Sequence, residues 1–358
     1  MPARDARTGP TRNRETSGKT SGSARRSSAA SRARVPGSSS SRSRPLPDGG
    51  EGRSDALVVG AVPTAARLTG VLLVLAALVG AVAVFPTYLV VGGQELTLAN
   101  GFVGVLAGLL IPVANLAVGT VLLRGAVPKF GLAYAGVAAA LALGQLLIEL
   151  YRASSATSRA AVEALAGERV VTSSVEAGAG WVLGLVALAL TVLAGICAAV
   201  AWGRTVMDDG GGLDPVRSLL AGAAVLLGVG TVLCLTLPAA DVPDQVVVDP
   251  VTGFETVIAQ EGPQALLERP GLALMGGLLL AGAVVLCSVI APSLRPRLAA
   301  VGGLLAITVA VLTAALTGVR DATSPELEWT VPGAGLVLTG LGYAVVTVAA
   351  WQLRRARQ

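Results

Sequence analysis

Three polar side chains interrupt long apolar runs and are the first places to look for chemistry: Asn115, Gln145 and Glu149. Gln145 and Glu149 are four positions apart, so on a helix they lie one above the other on a single face. A carboxylate with an amide one turn below it can contact a ligand or a cation. Counting about 1.5 Å per residue from Lys129 puts Glu149 roughly 30 Å along its helix, at the level of lipid headgroups, where a carboxylate most often serves as an anchor. Asn115 lies deeper, about 21 Å from Gly101 on the same rise. An amide at that depth is expected to bond across to another helix or to backbone released by Pro112, with an ion pathway as the alternative.

The remaining chemistry is narrow. There is no histidine, which removes imidazole general bases, Ser/His/Asp triads and histidine metal ligands. No glycine loop is followed by Lys-Ser/Thr, so nucleotide hydrolysis has no support. Asp241, Asp244, Asp249, Glu255, Glu261 and Glu268 match no cation-ligand spacing and read as solvation. Asp208-Asp209-Gly-Gly-Gly212-Leu-Asp214 lacks the rest of a calcium loop. Cys197, Cys234 and Cys287 all fall inside apolar runs, in no disulfide or zinc spacing. No catalytic residue, metal or cofactor is expected, and the chain leans away from being an enzyme.

The elements that must position these residues are set by composition. A chain of 358 residues with 53% apolar and 14% charged content is far from the roughly 25% charge of a soluble domain. Eight runs have the roughly 20 apolar residues that a helix needs to cross hydrocarbon: 68–90, 101–123, 130–150, 180–203, 218–237, 271–290, 298–319 and 335–353. The run from Gly178 to Arg204 opens on glycine and closes on arginine. The same layout recurs from Gly101 to Arg124, Gly271 to Arg295 and Gly335 to Arg354, separated by 23, 24 and 19 positions. The sequence therefore predicts an all-α integral membrane protein of eight transmembrane helices arranged as four tandem hairpins over residues 61–358. The shared layout suggests duplication. Gly104 with Gly108, and Gly180 with Gly184, form GxxxG pairs at which a second helix can approach closely.

Residues 1–60 precede the first run. The first 55 hold twelve basic and five acidic residues with many Ser and Gly, too little apolar surface to offset ordering entropy, so a disordered tail is expected. About 65 residues stand before the first span, unlike a signal peptide, so the tail is expected to be retained. It is expected to be a solvated cytoplasmic extension that also fixes topology; alternatively its arginines, among them Arg25, Arg26, Arg32, Arg34, Arg42 and Arg44, suit contact with anionic lipid or a partner. With no aromatic residue interleaved for stacking, nucleic acid is not expected.

Basic residues between the spans gather on the side of the termini: Arg67, Arg124, Lys129, Arg204, Arg217, Arg295, Arg297, Arg354, Arg355 and Arg357, against Asp208, Asp209 and Asp214. The opposite side carries five arginines among an excess of acids. The positive-inside rule places both termini in the cytoplasm, with outward loops at about 91–100, 152–179, 238–270 and 320–334. The first is expected to be only a turn. The second is expected to hold a short helix from Arg159 to Ala166, capped by Ser158 and stopped by Gly167. The third is expected to hold a two-stranded hairpin, with Gln245–Asp249 against Phe254–Ile258. Trp181, Trp202, Trp329 and Trp351 fall at span ends, where interfacial anchors belong.

Arg-rich, Ala/Gly/Val-rich composition points to a bacterial cytoplasmic membrane. The first functional expectation is a non-enzymatic accessory or scaffold component of the envelope, with the bilayer and other membrane proteins as partners. A transporter or flippase of an apolar or amphipathic molecule is the second; it predicts a cavity lined by Asn115, Gln145 and Glu149. A lipid-modifying enzyme is the third, and needs Glu149 to converge with Asp241 or Asp244.

Overall fold

The computed structural model describes residues 58–60, 62–154, 162–171, 174–208, 214–243, 245–248, 255–258, 271–323 and 327–353. Eight α-helices account for most of them: α1 Thr64–Ala83, α2 Gly101–Leu123, α3 Pro128–Arg152, α4 Ala179–Trp202, α5 Asp214–Leu235, α6 Leu272–Ile290, α7 Arg297–Ala322 and α8 Val331–Gln352. All eight are long and apolar enough to span a membrane. Helices are the natural outcome for such runs, because hydrocarbon offers no partner to a backbone N–H or C=O and a helix satisfies both within itself. Large apolar side chains such as Leu226 (76% exposed) and Leu338 (70%) point outward from the bundle, as lipid-facing residues do.

The bundle is built from two halves with the same neighbour order. In the first, α1 packs on α2 and α4, and α4 on α3; in the second, α5 packs on α6 and α8, and α8 on α7. The orders α2-α1-α4-α3 and α6-α5-α8-α7 therefore match. Where the halves meet, α3 lies against α7, α3 against α6, and α2 against α7. Exchanging the halves maps the first contact onto itself and swaps the other two, so the pattern of helix neighbours has two-fold symmetry. Consistently, α7 and α3 are the most enclosed helices, with 72% and 56% of their spanning windows buried, against 39% or less elsewhere.

The connecting segments repeat the relation. After α1, strand β2 (Thr87–Val91) pairs antiparallel with β6 (Val175–Ala177) just before α4; after α5, strand β8 (Ala240–Asp241) pairs antiparallel with β11 (Glu328–Trp329) just before α8. These strands lie at one end of the bundle, the hairpin end. At the other, β1 (Val58–Val59) pairs with β7 (Met207–Asp208) between α4 and α5.

Four expectations about the connections can be compared with the structure. The first helix ends at Ala83, seven residues short of the predicted Val90, because Pro86 follows and Thr87–Val91, rich in β-branched residues, is strand β2. The first loop is a β-hairpin with β3 (Gln94–Thr97), turned by Gly92 and Gly93 at φ 59° and 85°. The expected helix from Arg159 to Ala166 is absent among the described residues: β4 (Val162–Leu165) pairs with β5 (Glu168–Val171), joined by a two-residue turn. Ala166 and Gly167 have φ 55° and 89°, the positive values that a tight hairpin turn demands, so the glycine expected to stop a helix instead turns a strand. Leu165 and Val170 reach a small cluster with Tyr88, Leu89, Val91 and Leu96, and that burial outweighs the weak preference of so short a helix. The third-loop hairpin forms as expected, β9 (Gln245–Val248) against β10 (Glu255–Ile258). Ser158 and the residues of the turn between β9 and β10 lie outside the described residues.

Buried polar groups tie the helices together. Tyr343 on α8 donates to the carbonyl of Ala224 on α5 at 3.0 Å and meets Ser288 Oγ of α6 at 2.6 Å, while Thr308 of α7 and Thr347 of α8 share a hydrogen bond of 2.8 Å.

Candidate functional site

A cavity of about 520 Å³ lies between the two halves, and every one of the eight helices contributes to its wall. It exists because small side chains face inward: Ala76, Gly80, Ala107, Ala138, Ala306 and Ala310 leave space that larger residues would fill. Along α3 the lining residues run from Tyr134 to Arg152, roughly 27 Å of helix.

The two ends of the cavity differ in chemistry. The hairpin end carries its charges: Glu149 and Arg152 from the last turns of α3, and Arg320 and Asp321 from those of α7. Gln145, Glu149 and Arg152 follow one another at four and three positions, which places them on one helical stripe. Glu149 is nearly saturated as an acceptor. Gln145 Nε2 donates to its Oε1 at 3.0 Å, Arg152 donates to the same oxygen at 2.7 Å, and Tyr88 from β2 donates its hydroxyl proton to Oε2. Trp181 Nε1, at the start of α4, donates to the Glu149 backbone carbonyl at 2.9 Å. Burial, reinforced by the adjacent Glu149 carboxylate, pushes the Tyr88 hydroxyl well above its ordinary range, so it remains a donor.

Arg320 closes a fork on Asp321 Oδ1, with Nε at 3.1 Å and a terminal nitrogen at 2.9 Å. Asp321 and the fully buried Glu163 of β4 both act electrostatically on Arg152. Arg152 Nε is buried and meets no hydrogen-bond acceptor among the described residues. The tip of the β4–β5 hairpin closes over this end: Leu165 and Ala166 line the cavity, and a Cβ on Gly167 would lie 3.5 Å from the Arg320 side chain.

The inner part is nearly neutral. Asn115 of α2, 2% exposed, accepts a hydrogen bond of 2.8 Å from the Tyr134 hydroxyl of α3, the cross-helix contact expected of an amide at that depth. Thr191, Thr231, Thr313 and Thr317 donate to the carbonyls four residues before them, which turns their polarity back into their own helices. What remains is an elongated, largely apolar chamber with an ionic cluster at one end.

Asn115, Gln145 and Glu149 all line this one cavity. Asp241 does not: it is exposed on β8, its Oδ1 accepts from the Val242 N–H, and Asp244 lies outside the described residues. The carboxylate that joins Glu149 at the cavity is Asp321. Among the described residues no group of three His, Cys, Asp or Glu is placed to hold a metal, and Cys197, Cys234 and Cys287 are free thiols. The tail arginines, Arg25, Arg26, Arg32, Arg34, Arg42 and Arg44, lie outside the described residues.

The glycine pairs divide by position. A Cβ at Gly104 would meet the Leu98 carbonyl, one at Gly108 the Val84 side chain, and one at Gly180 the carbonyls of Ala83 and Pro86, so these three admit close neighbours inside the first half. Gly184 has nothing within 4 Å of such a Cβ and lines the cavity instead. Tight crossings between the halves are made by Gly144 of α3 with Gly276 of α6 and by Gly302 of α7 against the Phe130 backbone of α3, none of which sequence reasoning singled out. It also passed over Tyr88, Tyr134, Arg152, Arg320 and Asp321, and it read Trp181 only as an interfacial anchor. For Arg152 a signal existed, since it follows Glu149 by three positions; for Arg320 and Asp321 only the fold brings α7 beside α3.

Comparison with protein-family models, curated proteins and solved structures finds no match to this chain.

Proposed function

We propose that this multi-pass membrane protein binds an amphipathic small molecule in the cavity between its halves and moves it within or across the bilayer, as a transporter or flippase does. The observation that carries the reading is the chamber itself: about 520 Å³, apolar along its length, with charged groups confined to one end. That volume falls in the range of small-molecule pockets. Glu149, Arg152, Arg320 and Asp321 line the cavity at the headgroup end of their helices, where the polar head of an amphipathic ligand would sit. A scaffold needs neither the space nor the charges, which is why transport is placed ahead of the scaffold reading that the lack of catalytic residues favours.

The setting proposed with it is a bacterial cytoplasmic membrane with both termini inside, because the arginines between spans gather at the end opposite the hairpins. The charged end of the cavity then faces outward, and the basic tail lies where it can meet anionic lipid. Two halves with one order of helix neighbours, flanking a central site, also suit a carrier, since rocking one half against the other exposes the site to alternate sides.

The test is reconstitution of the full chain into liposomes with a fluorescent short-chain lipid and a membrane-impermeant quencher. Faster loss of inner-leaflet fluorescence than in protein-free vesicles is expected, and Gly184→Leu, which fills the chamber where a side chain has room, should abolish the gain. Absence of both faster loss and saturable binding of the probe would overturn the reading; a scaffold would tolerate Gly184→Leu unchanged.

A further inference from the structure

Resting on the amphiphile reading above, we infer that the head of the bound molecule carries an anionic oxygen group, a carboxylate or a phosphate, received by Arg152 and Arg320. Both oxygens of Glu149 accept from protein donors, Oε1 from Gln145 and Arg152 and Oε2 from Tyr88. Asp321 Oδ1 takes two bonds from Arg320, and the Trp181 N–H is spent on the Glu149 carbonyl. One buried donor is left over: Arg152 Nε has no partner among the described residues. A buried donor left unmade is costly, and a ligand oxygen recovers that cost.

Position supports the same head group. Arg152 and Arg320 end the two central helices, α3 and α7, which the two-fold relation between the halves exchanges, and both line the cavity. The site therefore presents one guanidinium from each half to a single ligand. Guanidinium is permanently charged, and its planar fork matches carboxylate and phosphate oxygens. Glu149 and Asp321 hold the two arginines in place meanwhile; Glu163 adds a third carboxylate near Arg152. These carboxylates compete with an incoming anion. Removing the charge of Glu149 thus tightens binding of an anionic head, whereas it would loosen binding of a cationic one.

The test uses the full chain in nanodiscs and ligands with a common dodecyl chain: laurate, dodecyl phosphate, dodecanol and dodecylamine, with inorganic phosphate alone as a fifth. Laurate and dodecyl phosphate are expected to bind at least about tenfold tighter than the alcohol or amine, the worth of a charge-assisted hydrogen bond. Arg152→Gln and Arg320→Gln should each lose about that factor, and Glu149→Gln should gain affinity for laurate. If Arg152→Gln fails to fold, Arg320→Gln and the conservative Arg152→Lys carry the comparison. Tightest binding of dodecylamine, equal binding of dodecanol, or weaker laurate binding by Glu149→Gln overturns the inference and leaves the amphiphile reading standing. Inorganic phosphate binding as tightly as dodecyl phosphate makes a free anion the ligand, which overturns both. No binding of any dodecyl compound also ends both.

Discussion

Tyr134 and Asn115 meet in the deep part of the cavity, where no water-exposed alternative exists for the amide oxygen. Tyr134→Phe removes its donor at little change in volume. The expected loss is about 1 kcal/mol, typical of a side-chain hydrogen bond between membrane helices, read as a lower unfolding midpoint in a detergent titration. Adding Asn115→Leu to that variant should recover part of the loss, because the stranded acceptor is gone. Tyr88 yields a different readout. The folded protein holds its hydroxyl proton more tightly than the unfolded chain does, mainly through burial and then through Glu149. Its contribution to stability is therefore complete below the unfolded value of about 10 and declines as pH rises beyond it. Melting temperatures followed from pH 8 to 11 should fall at the alkaline end, and Tyr88→Phe should flatten that part of the profile.

At the scale of elements, the β4–β5 hairpin is the sharpest correction to the sequence. Ala166 is the one non-glycine residue with positive φ among the described residues, and it sits at the rim of the cavity. A left-handed alanine costs about 1–2 kcal/mol, against which glycine loses about 0.5–1 kcal/mol of chain entropy. Ala166→Gly should consequently hold or raise the melting temperature. A helix through Ala166 would respond with the opposite sign, losing about 1 kcal/mol. The segment misled because Ser158, Glu163 and Gly167 carry helix punctuation, while the partner surface of Tyr88, Leu89 and Leu96 is distant in sequence. By contrast the β9–β10 hairpin was legible, since two β-branched runs flank Pro250-Val-Thr-Gly253 with only local pairing to satisfy.

For the whole molecule, the junction between halves depends on close backbone approach. A Cβ on Gly144 would lie 2.7 Å from the Leu280 nitrogen and 2.8 Å from the Gly276 carbonyl, both on α6. Gly144→Val should destabilise the protein by about 1–3 kcal/mol, the cost of overpacking. Gly136→Val on the same helix is the control, because nothing lies within 4 Å of a Cβ there. Thermal unfolding of the two variants side by side checks the difference, and equal midpoints would contradict the interface between α3 and α6.

The sequence by itself determined the eight crossings, since apolar length leaves a chain in hydrocarbon no choice but to close its hydrogen bonds within helices. It also singled out Asn115, Gln145 and Glu149, because a polar residue in an apolar run stands out on cost alone. Only the tertiary structure decided that these three share one cavity, that Arg152 and Arg320 line it together, and that the two halves share one order of helix neighbours. The reason is physical: in a bilayer the face of a helix turned to lipid and the face turned to its neighbours are both apolar, so the periodicity that marks the interior of a soluble protein is erased. What selects the packed face is the fit of small residues such as Gly144 and Gly276, and that fit is set by two helices at once.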